Sequence, residues 1–567
     1  MEQKVLIRAA AFIFILTLSA TAHLQAEVNF YSKIPQEELL PKLLDSMSDP
    51  ELLGQVFLLG YSGALPTPAI MNWIGQHDLG GVKIFGWNAR NLRELTESIT
   101  IMQRRASQNR LEIPLTIATD QEGGWVRHVQ GDTSITPGNM AIGATNLPED
   151  AYKSAFYIGR ELHVLGINMN FAPTVDILTN PHADVIGPRS FGSDPVRAGL
   201  LSVAFFKGLQ TAGIISTAKH FPGHGDAAGD SHLTLPVIQA SLEQIWNRDL
   251  VPYRLLVKEG LPAIMVGHLA FPKVSGNFEP ASLSPYFETE ILRKRLGFKG
   301  VIVTDDLLMG GVQETGLSLA QICERALEAG DDMLMISQTP AIDSRVWTEL
   351  VARMQREPAF KAIVRAAAAR IIKMKLDYLK GPDSVPLDPT SASVAKTLPD
   401  TKGESFFFEQ ACRATTIVKG GDIPLTVSAG TKMLLVGQFG EFLDEGKLRY
   451  PGAATYYLPY SPYYVPGDGE IERLMAVAVD YPIIIFCVAN PNSMKVLEAL
   501  KPLEARGTKI IAFSALSPAY LRNEPWVSSA IAVYGMGADS FAAGFAVLRG
   551  DFPAEGTMPI SMLNGEL

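Results

Sequence analysis

The chain has 567 residues, too many for one ordinary hydrophobic core, so two domains are expected. Apolar residues make up 47% and the formal net charge is −10; this describes a folded protein and, with no basic stripe, argues against nucleic acid as a partner. Three scattered cysteines, Cys323, Cys412 and Cys487, form no disulfide framework and read as buried, inert thiols.

Residues 1–26 read as a secretory signal. Lys4 and Arg8 precede the short apolar run AAAFIFILTL, and Ala20-Thr21-Ala22 and Leu24-Gln25-Ala26 offer small-residue cleavage sites. The run is short for a membrane span, and no cysteine follows it to carry a lipid. An exported protein is expected, in the periplasm or outside the cell, without a stable membrane anchor.

From about residue 50 to 380, apolar strand-like runs alternate with amphipathic helical segments. The expected strands are 56–60, 80–86, 113–120, 167–176, 214–221, 263–270, 300–306 and 331–337. Eight strands with intervening helices predict an α/β fold built on a (β/α)8 barrel, whose active site lies at the carboxyl ends of its strands. Asp120, Asp176, Lys219, His220, His268, Asp305 and Asp306 all fall at such ends. His268 is read either as a buried, satisfied histidine or as a contact to a bound substrate, and stands among the binding candidates.

The stretch KHFPGHGDAAGDSHLTLP, residues 219–236, holds three of the nine histidines, with Lys219, Asp226 and Asp230. Asp230 and His232 are two residues apart, which puts both side chains on one side of an extended segment. A carboxylate beside an imidazole orients the ring and stabilises its protonated form. The residues alone leave three readings open: a proton-transfer pair, a metal site, or a polar loop without chemistry.

This stretch resembles the signature of glycoside hydrolase family 3, in its β-N-acetylhexosaminidase branch. ATDQEGG at 118–124, FAPTVDI, IGPRSFG at 186–192 and GFKGVIVTDDLLMGGV follow in the expected order. The resemblance implies that Asp305 is the nucleophile and His232 the acid/base, oriented by Asp230. It places Asp120, Arg189, Lys219 and His220 on the substrate, the last two as hydroxyl donors, with no metal and no organic cofactor. Asp306 is expected to point away from the site. His224 is expected to brace the glycine-rich loop. Relatives usually carry an arginine eight residues after the aspartate, where this chain has His128, preceded by Arg127. On residues alone, Arg189 is equally an ion-pair partner for Asp176 or Asp194.

The Pro-, Ser- and Thr-rich stretch at 379–402 reads as a linker (381–402) between a barrel domain at 27–380 and a second domain at 403–567. That second domain is expected to be a smaller α/β sandwich with a mainly parallel sheet, from the runs TKMLLVGQF, PIIIFCVA, TKIIAFSA and SSAIAVYG. It contains no histidine, since all nine lie at or before residue 268. The implied substrate is a terminal β-linked N-acetylglucosamine of a muropeptide or chito-oligosaccharide. The alternatives are a β-glucosidase, a phosphorylase of the same family, because a neutral histidine repels phosphate less than a carboxylate does, and an inactive wall-glycan-binding protein.

Overall fold

The computed structural model describes residues 28–428, 430–459, 465–521 and 524–561. The signal reading at 1–26 therefore lies outside the described residues.

All eight expected barrel strands form: β1 (Phe57–Gly60), β2 (Gly81–Ile84), β3 (Thr116–Thr119), β4 (Met169–Asn170), β5 (Ile215–Phe221), β6 (Ala263–Val266), β7 (Val301–Thr304) and β8 (Leu334–Ile336). They pair in sequence order and in parallel, and β1 also pairs with β8. Between β7 and β8 the ring closes on a single bridge, Val303 to Met333, with Thr304 N–H donating to Met333 O at 3.0 Å. The strands are buried on both faces, which is why they read as continuous apolar runs rather than alternating ones. Between them, helices start at side-chain caps. Ser48 and Ser318 form capping boxes, and Asn91 caps Leu92–Ala106 by accepting from Arg93 N and Glu94 N.

The second domain is a six-stranded sheet of β9 (Thr416–Gly420), β10 (Met433–Gly437), β11 (Ala454–Tyr457), β12 (Ile483–Val488), β13 (Lys509–Ser514) and β14 (Ser529–Ala532). Its order is β9-β14-β13-β12-β10-β11, parallel except for β9 against β14. Alternation along β10 sends Met433 and Leu435 to one core and Leu434 and Val436 to another, so helices cover both faces. Cys323 and Cys487 are buried and burial raises both thiols, while Cys412 is only partly buried, unlike the uniform burial expected.

The stretch expected as a linker is built structure. Ser391–Thr397 is a helix capped by Thr390, and Thr401–Ala414 starts inside the expected linker. The second helix is fastened to the barrel. Arg413 pairs with Asp150 at 2.7 Å, Gln410 bonds Ser154 at 2.9 Å, and Arg160 pairs with Asp400 at 3.1 Å. An apolar cluster that includes Met140, Ile186, Tyr534 and Ile560 fills the seam between the domains. The C-terminal segment also returns to the barrel, where Ser193 N–H donates to Pro559 O at 3.0 Å. Gly192, in the left-handed region at φ 139°, permits that approach, because a Cβ there would collide with the Pro559 carbonyl.

Candidate active site

Asp120 follows β3 directly and is the centre of a charged network. Lys83, from the middle of β2, brings its ammonium to 2.7 Å from Asp120 Oδ2. Lys219, near the end of β5, pairs with Asp120 Oδ1 and lies 2.5 Å from Glu122 Oε1. Glu122 sits on a short hairpin, Gln121–Gly123 with Val126–Arg127. It receives Arg189 through two bonds, Nε to Oε2 at 2.9 Å and Nη2 to Oε1 at 2.8 Å. Burial alone would raise Asp120, but Lys219 and Lys83 outweigh it and hold the carboxyl well below its usual range. Burial likewise opposes ionisation of Glu122, yet Arg189 and Lys219 bring it down to about 2. The partner of Arg189 is therefore Glu122, not Asp176 or Asp194.

His220 is held by Asp176, whose Oδ2 lies 2.7 Å from Nδ1. Its Nε2 lies 3.2 Å from Arg189 Nη2. A guanidinium only donates, so Nε2 accepts and the proton sits on Nδ1, facing Asp176. The hydroxyl donor expected of His220 is thus already engaged. Asp176 Oδ1 also accepts the His224 backbone N–H at 2.6 Å, and His224 Nε2 lies 3.0 Å from Ser231 Oγ. His224 ties the glycine-rich loop together at both ends.

Asp230 Oδ1 accepts both the backbone N–H of His232 at 2.9 Å and its ring Nδ1 at 2.7 Å. The hydrogen bond that the His232 ring donates to Asp230 raises its pKa, against burial and with help from Asp305. The loop carrying the pair is fastened to the segment that follows β7. Gly310 N–H donates to His232 O at 3.0 Å, Gly311 N–H to Ser231 O at 3.0 Å, and Leu235 N–H to Glu314 Oε2 at 3.0 Å. Asp305 opens that segment. Burial works against its ionisation, but protonated His232 and the Asp306 N–H at 2.8 Å on its Oδ1 hold it below the usual range. The Asp306 side chain accepts the backbone N–H groups of Leu308 and Ser337 at 3.1 and 2.9 Å. It secures the loop.

Of the two readings of His268, the structure has the buried, satisfied histidine and not the sugar contact. It is fully buried, with Nδ1 2.7 Å from Ser282 Oγ and Nε2 2.9 Å from Asp306 O. Both ring nitrogens are engaged, so it supports the backbone beside Asp305.

Over the mouth lies a cleft of about 820 Å³, within the usual range of small-molecule sites. Trp125, Arg189 and His232 line it from the barrel, and Asn490, Asn492 and Tyr520 from the second domain. The carboxyl ends of β12 and β13 therefore face the barrel mouth. Lys83 and the Glu122 clamp went unread in the sequence. A lone lysine inside the apolar run GGVKIFG was the available signal for the first. Among the described residues, no group of three or more His, Cys, Asp or Glu side chains is placed to hold a metal.

Residues 53–374 match the glycosyl hydrolase family 3 N terminal domain. The chain belongs to glycosyl hydrolase family 3. It is 33% identical over 393 residues to beta-hexosaminidase A of Pseudoalteromonas piscicida, covering 65% of this chain and 64% of that one, just under two thirds. It is 38% identical over 280 residues to a beta-hexosaminidase of Pseudomonas aeruginosa, covering 49% of this chain and 81% of that one. Among solved structures, a family 3 β-N-acetylglucosaminidase from Paenibacillus sp. str. FPU-7 superposes with a TM-score of 0.81 at 26% identity, covering 91% of this chain and 99% of that one. That likeness spans both domains.

Proposed function

We propose that the protein is a retaining exo-glycosidase that removes terminal β-linked N-acetylglucosamine from muropeptides or chito-oligosaccharides. The observation that carries the reading is the fastening of two loops. The Asp230–His232 pair and Asp305 arise more than seventy residues apart, yet three hydrogen bonds join their segments at one barrel mouth. Asp305, held ionised, attacks the anomeric carbon and forms a glycosyl ester as the bond to the leaving oxygen breaks. Asp230 takes Nδ1 of His232, which leaves Nε2 to protonate that oxygen. In the second step His232 takes a proton from water, whose oxygen bonds to the anomeric carbon and releases Asp305.

Asp120, Arg189 and Lys219 hold the terminal sugar. Asp120 accepts hydroxyl donors, and Lys219 keeps one of its three donors beyond those given to Asp120 and Glu122. Export of the protein rests on the basic and apolar pattern at the start of the sequence. Hydrolysis of paired 4-nitrophenyl β-N-acetylglucosaminide and β-glucoside, with and without phosphate, tests the reading. Preference for the acetamido sugar with indifference to phosphate is expected. Preference for the glucoside overturns the substrate, and phosphate-dependent formation of a sugar 1-phosphate overturns hydrolysis.

A further inference from the structure

His128 stands where the family resemblance leads one to expect an arginine, and its surroundings define what it does there. The ring lies at the end of the hairpin, lines the interdomain cleft, and is 27% exposed. Its Nδ1 lies 3.4 Å from Lys83 Nζ and 3.7 Å from Asp120 Oδ2. The longer separation is outside hydrogen-bond range. An ammonium has donors only, and a proton on Nδ1 would point at it. Nδ1 therefore accepts, and the ring proton sits on Nε2. Lys83 itself is 0% exposed, and its three donors are directed to Asp120 Oδ2, Ile84 O and His128 Nδ1. It touches no substrate. Arg127, the neighbouring guanidinium, is turned toward Thr133 O at 2.6 Å and cannot replace the missing arginine.

We propose that Lys83 locks His128 as the Nε2–H tautomer, so that His128 presents an uncharged donor to a hydroxyl or acetamido oxygen of the terminal sugar. Lys83 is the positioning residue and His128 the specificity residue. The groups facing the ring are Lys83, Asp120, Lys219 and Glu122. Burial and then Lys83 bring its pKa down to about 4, so the ring is neutral at pH 7. A neutral donor suits a neutral sugar edge, whereas a guanidinium would also favour an anionic substituent there.

The sugar contact rests on the function proposed above; the tautomer lock does not. Two measurements separate them. In the ligand-free protein with ¹⁵N-labelled histidine, long-range ¹H–¹⁵N spectra, assigned by the signal lost in His128→Gln, should show His128 as Nε2–H at pH 7. An Nδ1–H or a rapidly exchanging ring overturns the lock, whatever the substrate. In kinetics on the acetamido glycoside, His128→Phe should lower kcat/KM about fivefold, mostly through KM, as expected for one neutral hydrogen bond. His128→Gln, which keeps a neutral N–H, should recover most of it. Lys83→Met should add an ionisation to the pH dependence of KM above pH 4 that the Lys83→Met/His128→Gln double variant lacks. Equal impairment by Phe and Gln overturns the sugar contact, and no new ionisation in Lys83→Met overturns the part given to Lys83. If no variant or wild-type protein turns over the acetamido glycoside, the function proposed above fails while the spectrum still decides the lock.

Discussion

Gly310→Ala perturbs the proposed acid/base pair, Asp230 and His232, without removing any ionisable group. Gly310 is not in the left-handed region, so alanine meets no backbone strain there. The added Cβ would instead collide with the carbonyl of Leu233, the residue after His232. Restoring ordinary contact, at about 3.5–4 Å, requires the two backbones to part by roughly 1 Å or more. Whichever side yields, His232 moves relative to Asp305, because Gly310 also holds His232 O at 3.0 Å. A misplacement of about 1 Å costs on the order of 10²-fold in a positioned reaction. The loss should depend on the leaving group. Aryl glycosides with poor leaving groups need His232 and should fall by about that factor, while nitrophenolates, which depart with little protonation, should fall far less. The assay is kcat/KM across a series of aryl N-acetylglucosaminides, with thermal unfolding alongside. Unchanged kinetics in a folded variant, or the same loss on every leaving group, refutes the idea that this contact sets the acid.

The pH profile tests the pair itself. Asp230 raises the His232 pKa and Asp305 is held low, so a bell with an alkaline limb above that of an ordinary imidazole is expected. Asp230→Asn removes the raising partner, so the alkaline limb should move to lower pH while the acid limb stays; an unmoved alkaline limb would assign it elsewhere. His232→Ala should spare nitrophenolate substrates far more than poor leaving groups, whereas Asp305→Ala should abolish both, and equal loss in His232→Ala counts against its acid role. Glu122→Gln leaves Lys219 and Arg189 short of a buried counter-charge, a class of change that costs about 3–5 kcal/mol. Calorimetry should show a lowered Tm and kinetics a raised KM; a variant with both unchanged would remove Glu122 from the network.

The barrel was legible because each strand is a short apolar run buried on both faces, and because ionisable residues collect where those runs end. Asp120 and Asp305 directly follow β3 and β7, as that pattern predicts. The linker was misread because its Pro and Ser content is that of a solvated spacer. What orders it is tertiary: Thr390 caps a helix, and Arg413 in the next helix reaches Asp150 on the barrel. Strands β9 and β11 escaped notice because they are the partly exposed edge strands of their sheet and lack a continuous apolar run.

Pairings were harder still, and the reason is physical. A charge in a sequence states what a residue offers, not what it faces. Lys219 meets Asp120 across 99 positions, and Arg189 meets Glu122 across 67. Nothing in the spacing marks these pairs, because the closed sheet rather than the chain brings β2, β3 and β5 together. Isolated, each of these buried ions would be neutralised or excluded. Together, Lys83, Lys219 and Arg189 stabilise Asp120 and Glu122, and those carboxylates in turn hold the cations. The charge of this surface is therefore a property of the set. His128 fits beside that set because Lys83, from the neighbouring strand, already supplies a cation to Asp120 at 2.7 Å. The motif around Asp120 is therefore read only together with Lys83, which the sheet and not the chain sets beside it.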